Sequence, residues 1–214
     1  MGYLDSYNHI SFDLDGTLVH TVAEYRHKII PEVVRELGGH IKDAHFIDRF
    51  WFESGRDKII QEGFNLNPAV FWKLFRARDD AKVRAAHTTA YSDAESALRK
   101  LKDLGKVTSI ITGAPHWVAK MEIEKLNDAP HDFYLSLHDK GFGEKPDPRG
   151  MNYTLEQLHV TQEETLYIGN SDEDALFAKQ AGVDFVYLER KEHVFEFKDF
   201  SVLAIHLLDE LFNL

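Results

Sequence analysis

The 214-residue sequence contains no cysteine, no long apolar segment and no excess of basic residues. The absence of cysteine excludes disulfide bonds, thiolate metal sites and cysteine nucleophiles, and it is typical of a reducing compartment. No apolar run approaches the roughly 20 residues that a transmembrane helix needs, and the N-terminus lacks the basic and then apolar pattern of a secretion signal. The net charge of −11 argues against a nucleic-acid partner and against an anionic membrane surface. These absences predict a cytoplasmic protein whose partner is neither a nucleic acid nor a membrane.

Five short runs of apolar, β-branched and aromatic residues predict buried strands, because their apolar character is nearly continuous rather than alternating. The runs are 9–15, 107–112, 133–137, 165–169 and 183–188. Helical patterns with recognisable ends lie between them, such as the one that Ser171 begins and Gly182 ends. The alternation of strand and helix predicts an α/β fold, a doubly wound parallel sheet of five strands with helices on both faces.

Residues 19–87 interrupt this alternation, because they contain no convincing strand. Their apolar spacing predicts amphipathic helices over 21–37, 43–52 and 68–86, the first of them kinked or split by Pro31. We therefore expect an all-helical domain, residues 19–87, inserted into an α/β domain made of residues 1–18 and 88–214. The insert is slightly basic over an acidic remainder, which suits a cap that meets an anionic substrate and equally suits ordinary solvated helix faces.

Asp13 and Asp15 stand at the end of the first predicted strand and are followed by Gly16, where the chain must turn. Parallel α/β sheets bind ligands outside the carboxyl ends of their strands, so both carboxylates are expected at the binding site. Two neighbouring carboxylates repel each other, and a hard cation such as Mg²⁺ is their usual compensation. The alternative, an acid that only caps the next turn, accounts for one aspartate better than for the pair.

Four segments resemble, in order, the four motifs of the haloacid dehalogenase superfamily, and the resemblance extends along the whole chain. Asp13 and Asp15 match the first motif, Thr112 at the end of the second predicted strand is similar to the second, and Lys145 before Pro-Asp-Pro is similar to the third. Residues 169–174, Gly-Asn-Ser-Asp-Glu-Asp, resemble the fourth, which is usually Gly-Asp-x-x-x-Asp. The helical insert lies where subfamily I members carry a C1-type cap, and the chain most resembles the phosphoglycolate phosphatase-like group.

The resemblance implies a role for each matched residue. Asp13 would be the nucleophile that attacks phosphorus and forms an aspartyl-phosphate, and Asp15 would be the general acid and base. Thr112 and the amide of Gly113 would bind the phosphoryl oxygens, and Lys145 would supply positive charge to the nucleophile and the phosphoryl group. A Mg²⁺ ion would take its ligands from Asp13, the backbone carbonyl of Asp15, Asn170 and Asp174.

Asn170 departs from the family pattern, because it stands where the family usually has a metal-ligating aspartate. An amide oxygen coordinates Mg²⁺ without contributing charge, so we expect a weaker metal site. The family tolerates asparagine here, and Asp172 and Asp174 are near enough in sequence to contribute directly or through water.

In the insert, residues 53–57, Glu-Ser-Gly-Arg-Asp, resemble the substrate-specificity loop of C1 caps. Arg56 is the candidate for contacting the substrate, since its planar guanidinium suits phosphate or carboxylate. The alternative is a surface arginine paired with Glu53 or Asp57.

The predicted function is a Mg²⁺-dependent phosphatase that hydrolyses a small phosphomonoester, phosphoglycolate-like or a sugar phosphate. Asp15 favours phosphoryl transfer over dehalogenation, since dehalogenases of the superfamily lack an acidic residue two positions after the nucleophile. Two alternatives stay open: a phosphotransferase of the β-phosphoglucomutase type, and a binding protein on the same fold whose turnover is impaired by Asn170. The partner would be a small phosphorylated metabolite, and the chain is expected to be a monomer or a homodimer.

Overall fold

The computed structural model describes residues 2–192, 194 and 202–214. The chain forms two compact units, one made of the residues up to His20 and from Ala90 onward, the other of Thr21–Thr89. Each unit has its own apolar core. In the described ranges, no helix is both long enough and apolar enough to span a bilayer.

The elements alternate along the larger unit and are purely helical over most of the smaller one. The strands are β1 His9–Phe12, β2 Val19–Thr21, β3 Thr88–Ala90, β4 Val107–Thr112, β5 Phe133–Ser136, β6 Thr165–Gly169, β7 Asp184–Leu188 and β8 Leu203–Ile205. The α-helices are α1 Ala23–Glu36, α2 His45–Phe52, α3 Arg56–Phe64, α4 Pro68–Arg78, α5 Ala81–Ala86, α6 Ala94–Asp103, α7 His116–Glu124, α8 Arg149–Leu158 and α9 Asp172–Ala181.

The larger unit is built on a parallel sheet with the strand order β5-β4-β1-β6-β7-β8. Successive strand residues point to opposite faces, and the two faces have separate cores. In β6, for example, Leu166 and Ile168 join one apolar cluster and Tyr167 joins the other. Burial on both faces explains the nearly continuous apolar strands and confirms the predicted doubly wound α/β fold.

The number of strands was predicted wrongly, because the residues that the structure describes form a sheet of six strands and not five. The missed strand, Leu203–Ile205, has three residues, and only Ile205 is buried. This segment is a short apolar run of which two residues are exposed, so its pairing with β7 is decided by the tertiary structure.

The register of the sheet brings three strand ends together. Phe12, the last residue of β1, is level with Ile110 in β4 and Ile168 in β6. The residues that follow these positions therefore emerge side by side at the carboxyl edge of the sheet, where α/β proteins bind their ligands. The segments that begin at Asp13, Thr112 and Asn170 all leave the sheet at this edge.

The smaller unit packs its helices around an aromatic core that includes Phe50, Phe64, Phe71 and Phe75. The aromatic rings contact one another at centroid distances of 5.2–6.0 Å, within the range of favourable ring pairs. The two-stranded ladder of β2 and β3 lies where the chain passes between the two units.

Four expectations for residues 19–87 were wrong. The predicted helix 68–86 is two helices, because Asp80 begins α5 by accepting hydrogen bonds from the amides of Lys82 and Val83. Pro31 does not split α1, which runs without interruption from Ala23 to Glu36. Helix α3 was missed, and Val19–Thr21 is a strand.

Candidate active site

The turn after β1 is held closed by its own backbone. The carbonyl of Leu14 accepts hydrogen bonds from the amides of Thr17, Leu18 and Val19 at 2.9–3.2 Å. Gly16 has a φ of +88°, a backbone conformation that residues with a side chain rarely adopt. A Cβ at this position would also lie 2.2 Å from the side-chain nitrogen of Asn170. The amide of Asp13 donates to the carbonyl of Ile168 at 2.9 Å. This turn therefore brings the residues after β1 close to those after β6.

Asp13 is buried at the base of the turn, where each of its carboxylate oxygens has a different donor. Lys145 Nζ donates to Oδ1 at 2.5 Å, and Thr17 Oγ1 donates to Oδ2 at 3.1 Å. Lys145 also donates to Asp174 Oδ1 at 2.7 Å. The ammonium group of Lys145 thus lies between two carboxylates, with only 5% of its side chain exposed.

Asp174 anchors Lys145 and is itself held by five donors. Its Oδ1 accepts from Lys145 and from the hydroxyl of Tyr167 at 3.1 Å. Its Oδ2 accepts from the amides of Asn170 and Ser171 and from Ser171 Oγ at 2.7–3.1 Å. Ser171 Oγ also accepts from the amide of Asp174, which confirms the predicted start of α9.

The electrostatics of this cluster combine burial with close opposite charges. Burial raises the pKa of Asp13, and the neighbouring Lys145 opposes that rise. Burial alone would lower the pKa of Lys145, but the carboxylates of Asp13 and Asp174 raise it. Lys145 therefore stays cationic across the physiological range, and its charge is directed at Asp13.

Thr112 ends β4 beside this cluster and begins a short folded loop. Its hydroxyl oxygen accepts from the amide of Ala114 at 3.0 Å, and Ser136 Oγ donates to the carbonyl of Ala114 at 2.8 Å. Because the Thr112 oxygen is an acceptor in this contact, its own proton can be donated to a ligand. A Cβ built on Gly113 meets no atom within 4 Å, so there is open space beside this backbone.

Residues 10–188 match the family described as haloacid dehalogenase-like hydrolase, which is most of the chain. The chain belongs to this family. Two curated relatives are the phosphoglycolate phosphatases of Vibrio cholerae and Colwellia psychrerythraea. The first is 27% identical over 184 residues, with 81% of this chain and 80% of the relative covered. The second is 27% identical over 187 residues, with 83% and 82% covered.

Solved structures of the same fold cover nearly the whole chain. A haloacid dehalogenase-like protein from Bacteroides fragilis is 23% identical with a TM-score of 0.79, covering 96% of this chain and 99% of its own. CbbY from Rhodobacter sphaeroides, solved in complex with phosphate, is 17% identical with a TM-score of 0.73, covering 96% of each chain. The enzyme class that the family and the curated relatives support is a phosphatase, which hydrolyses phosphoric monoester bonds.

The oxygen atoms around Thr17 suit a divalent metal ion, which phosphatases of the haloacid dehalogenase-like family generally use. Asp13 Oδ2 and Asn170 Oδ1 lie 3.1 and 3.2 Å from the Thr17 hydroxyl, whose single proton cannot fully satisfy both. A carboxylate and an amide oxygen are hard ligands that fit such an ion. In the described part of the chain, no three His, Cys, Asp or Glu side chains form a metal cluster.

Asp174 already accepts donors at both oxygens, an arrangement that favours an anchor for Lys145 over a direct metal ligand. Asp15 is half-buried on the turn, and its charge acts on the pKa of His20, which burial lowers. Arg56 lies in the helical unit as the first residue of α3, and its Nε donates to the carbonyl of Phe50 at 3.2 Å.

The sequence did not predict the site roles of four residues: Thr17, Ser136, Tyr167 and Ser171. Ser171 was expected only to begin a helix, and it also donates hydrogen bonds to Asp174. Thr17 was visible in the Asp-Gly-Thr segment, and the spacing of Ser171 and Asp174 signalled a helix cap. Tyr167 and Ser136 looked like ordinary strand residues, because their partners come from other segments of the chain.

Proposed function

We propose that this phosphatase hydrolyses a small phosphomonoester, with Mg²⁺ as its cofactor, through a phosphorylated Asp13. The observation that carries the proposal is the buried carboxylate of Asp13, held between Lys145 and Thr17 at the carboxyl edge of the sheet. A carboxylate fixed in one orientation and paired with a cation is prepared for in-line attack on phosphorus.

The proposed reaction has two steps in which atoms and charges balance. In the first, an Asp13 carboxylate oxygen forms a bond to phosphorus while the bond from phosphorus to the ester oxygen breaks, and Asp15 gives its proton to the departing alkoxide. In the second, Asp15 takes a proton from water, whose oxygen attacks phosphorus, and the bond to Asp13 breaks to release phosphate. Asp15 thus ends as it began, protonated, as a general acid and base requires.

Lys145 and Thr112 would stabilise the charge on the transferring group. The Lys145 ammonium lies next to the attacking carboxylate, where it also faces the incoming phosphoryl oxygens. Thr112 has a proton to donate, and the open space at Gly113 lets an oxygen approach the backbone. When bound, Mg²⁺ would neutralise phosphoryl charge, and we assign its ligands to Asp13, the carbonyl of Asp15 and the amide oxygen of Asn170. Asp174 would support them by orienting Lys145.

The substrate class is proposed to be phosphoglycolate or a sugar phosphate. The two curated relatives named above are phosphoglycolate phosphatases, and CbbY was solved with phosphate. We assign substrate contact to Arg56 and the role of a cap to the helical unit, as the sequence predicts. The cytoplasmic location and the monomeric or homodimeric state also stay predictions.

A panel of phosphomonoesters tests this proposal directly. Released phosphate is measured with p-nitrophenyl phosphate, 2-phosphoglycolate and hexose phosphates, each with Mg²⁺ and with a chelator. We expect Mg²⁺-dependent release with many turnovers per enzyme. Interconversion of sugar phosphates with little free phosphate would favour a mutase instead. Bound phosphate that never exceeds one equivalent, or binding that needs no metal, would favour a non-catalytic binding protein.

Arg56 is tested on the best substrate of that panel. We expect Arg56→Ala to lower kcat/KM about tenfold to a hundredfold, mainly through KM, since one charged contact to substrate is lost. Arg35→Ala is the matched control, because Arg35 is an exposed arginine on α1 of the same unit. If the two variants have equal kinetics, Arg56 is a surface residue.

A further inference from the structure

Arg190 lies two residues beyond the end of β7, outside all four motifs, and is nonetheless almost completely buried. Its two terminal nitrogens donate to the two carboxylate oxygens of Asp93 at 2.9 Å each. One of them, Nη2, also donates to the backbone carbonyl of Thr17 at 2.8 Å. The guanidinium therefore joins the end of the sheet to the turn after β1.

The rest of this cluster fixes Arg190 in place. Its guanidinium carbon lies 3.9 Å from the ring centroid of Tyr91, and the Tyr91 hydroxyl donates to Glu192 at 3.0 Å. Asp93 Oδ2 accepts a further hydrogen bond, from the amide of Leu208 at 2.9 Å. A planar guanidinium with a bidentate carboxylate and a stacked ring has little freedom to move.

Thr17 connects this fixed point to the chemistry. Its carbonyl is held by Arg190, while its hydroxyl contacts Asp13 Oδ2 and Asn170 Oδ1. A shift of the Thr17 backbone would thus move the donor that orients the proposed nucleophile. Misplacement of a reacting group by about 1 Å lowers catalysis on the order of a hundredfold.

We infer that Arg190, together with Asp93, is a positioning residue that holds Thr17 and through it sets the orientation of Asp13. This inference rests on the proposed function, because it assigns a role in the phosphoryl-transfer step. Arg190 contacts neither substrate nor reacting atoms in this role. Its effect is therefore expected in kcat, with KM little changed.

The test compares Arg190→Met with Lys106→Met. Lys106 is the matched control, because its Nζ also holds two backbone carbonyls of the larger unit, those of Leu4 and Tyr7, at 2.8 and 2.6 Å. These carbonyls precede β1, at the opposite edge of the sheet from the site. Both variants should unfold at lower temperature. Only Arg190→Met should lower kcat for p-nitrophenyl phosphate, by about tenfold to a hundredfold.

Two further variants separate positioning from simple loss of stability. Arg190→Lys keeps the positive charge but cannot form the bidentate contact of a planar guanidinium. Relative to Arg190→Met, its melting temperature should therefore recover more than its kcat. For Arg190→Ala, added guanidinium ion at concentrations that do not unfold the protein should restore part of kcat. The proposal is overturned if kcat of Arg190→Met stays within about twofold of the unmodified enzyme, or if Lys106→Met loses as much.

Amide hydrogen exchange makes the test independent of activity. Arg190→Met should speed exchange in the peptide that covers residues 14–19, because the amides of Thr17, Leu18 and Val19 in it donate to the Leu14 carbonyl. Lys106→Met should leave that peptide unchanged. If the unmodified enzyme hydrolyses no phosphomonoester, the proposed function fails, but faster exchange in residues 14–19 would still support the link from Arg190 to the turn. Equal exchange in both variants would overturn it.

Discussion

At the scale of single residues, burial and the charge of Lys145 have opposite effects on the pKa of Asp13. Removing a carboxylate from water is costly, and the cost is offset here by the Lys145 ammonium group, the Thr17 hydroxyl and the backbone amide of Leu14. Lys145 shares its charge with Asp174, so neither carboxylate is fully neutralised by it. A residual negative charge at Asp13 is what a nucleophile and metal ligand needs.

Asn170 provides a prediction about metal binding at this scale. Asn170→Asp should tighten Mg²⁺ binding, because it adds a charged oxygen ligand, and Asn170→Ala should weaken it. Without metal, the new carboxylate repels Asp13, so the Asn170→Asp apoprotein should melt at least roughly 2 °C lower than the unmodified apoprotein. Added Mg²⁺ should remove this difference. Calorimetric titration with Mg²⁺ and thermal unfolding measure both effects without substrate.

Asn152→Asp is the control for Asn170→Asp, since it adds the same charge on the exposed face of α8. It should change neither Mg²⁺ affinity nor the response of stability to Mg²⁺. Identical Mg²⁺ affinities for the unmodified protein and both Asn170 variants would show that Asn170 is not a ligand.

The sequence was sufficient to place the charged members of the site but not their partners. Asp13 and the segment after β6 that carries Asp174 are close as expected, because strand ends in a parallel sheet converge. Lys145 contacts both carboxylates from the loop before α8. The donors to Asp174 could not be predicted in full, since Tyr167 lies within a strand that looks like ordinary core. Nor does the sequence indicate that Arg190 reaches Thr17, a contact between residues 173 positions apart.

At the scale of elements, the turn after β1 depends on Gly16. Gly16→Ala should destabilise the protein by more than the about 1–2 kcal/mol that a positive φ costs an alanine, because the new methyl group also displaces Asn170. Gly105→Ala is the control, since Gly105 has a φ of +71° and open space around it. Chemical denaturation compares the two, and phosphate release should fall only in Gly16→Ala. Equal losses of stability would mean that the contact with Asn170 is unimportant.

The elements differ in how well local sequence determines them. The strands β4 and β6 begin and end where their apolar runs do, because burial on both faces leaves a continuous signal. The break between α4 and α5 was missed, since Asp79 and Asp80 suit an exposed helix face as well as a cap. Strand β8 is a three-residue apolar segment, too short to predict a strand by itself, and it forms through its pairing with β7.

At the scale of the whole molecule, a buried histidine links stability to pH. His9 in β1 is fully buried and hydrogen-bonded to Thr165 Oγ1 and Ser109 Oγ at 3.0 and 2.9 Å. Burial lowers the pKa of His9 to about 4, from 6.5 in the unfolded chain. Between these pH values the unfolded state binds more protons than the folded state. The contribution of His9 to the free energy of unfolding is therefore fully present above pH 6.5, and about 3 kcal/mol of it is lost as the pH falls to 4.

His9→Gln tests this dependence. The variant is expected to be less stable at pH 7, but its free energy of unfolding should fall less steeply between pH 6.5 and 4 than that of the unmodified protein. His138→Gln, which changes an exposed histidine, should leave the slope unchanged. Urea unfolding at several pH values measures all three proteins, and parallel curves for His9→Gln and the unmodified chain would contradict the assignment.

The central claim, that Asp13 is the nucleophile of a phosphatase, is tested most directly by phosphate release from Asp13→Asn. The amide has nearly the same shape but is a poor nucleophile, so turnover should fall to the background rate while the fold is kept. Asp103→Asn is the control for replacing an aspartate by asparagine, because Asp103 is exposed at the end of α6. This variant should release phosphate at the rate of the unmodified enzyme. Phosphate release by a correctly folded Asp13→Asn variant at a rate close to that of the unmodified enzyme would contradict the account.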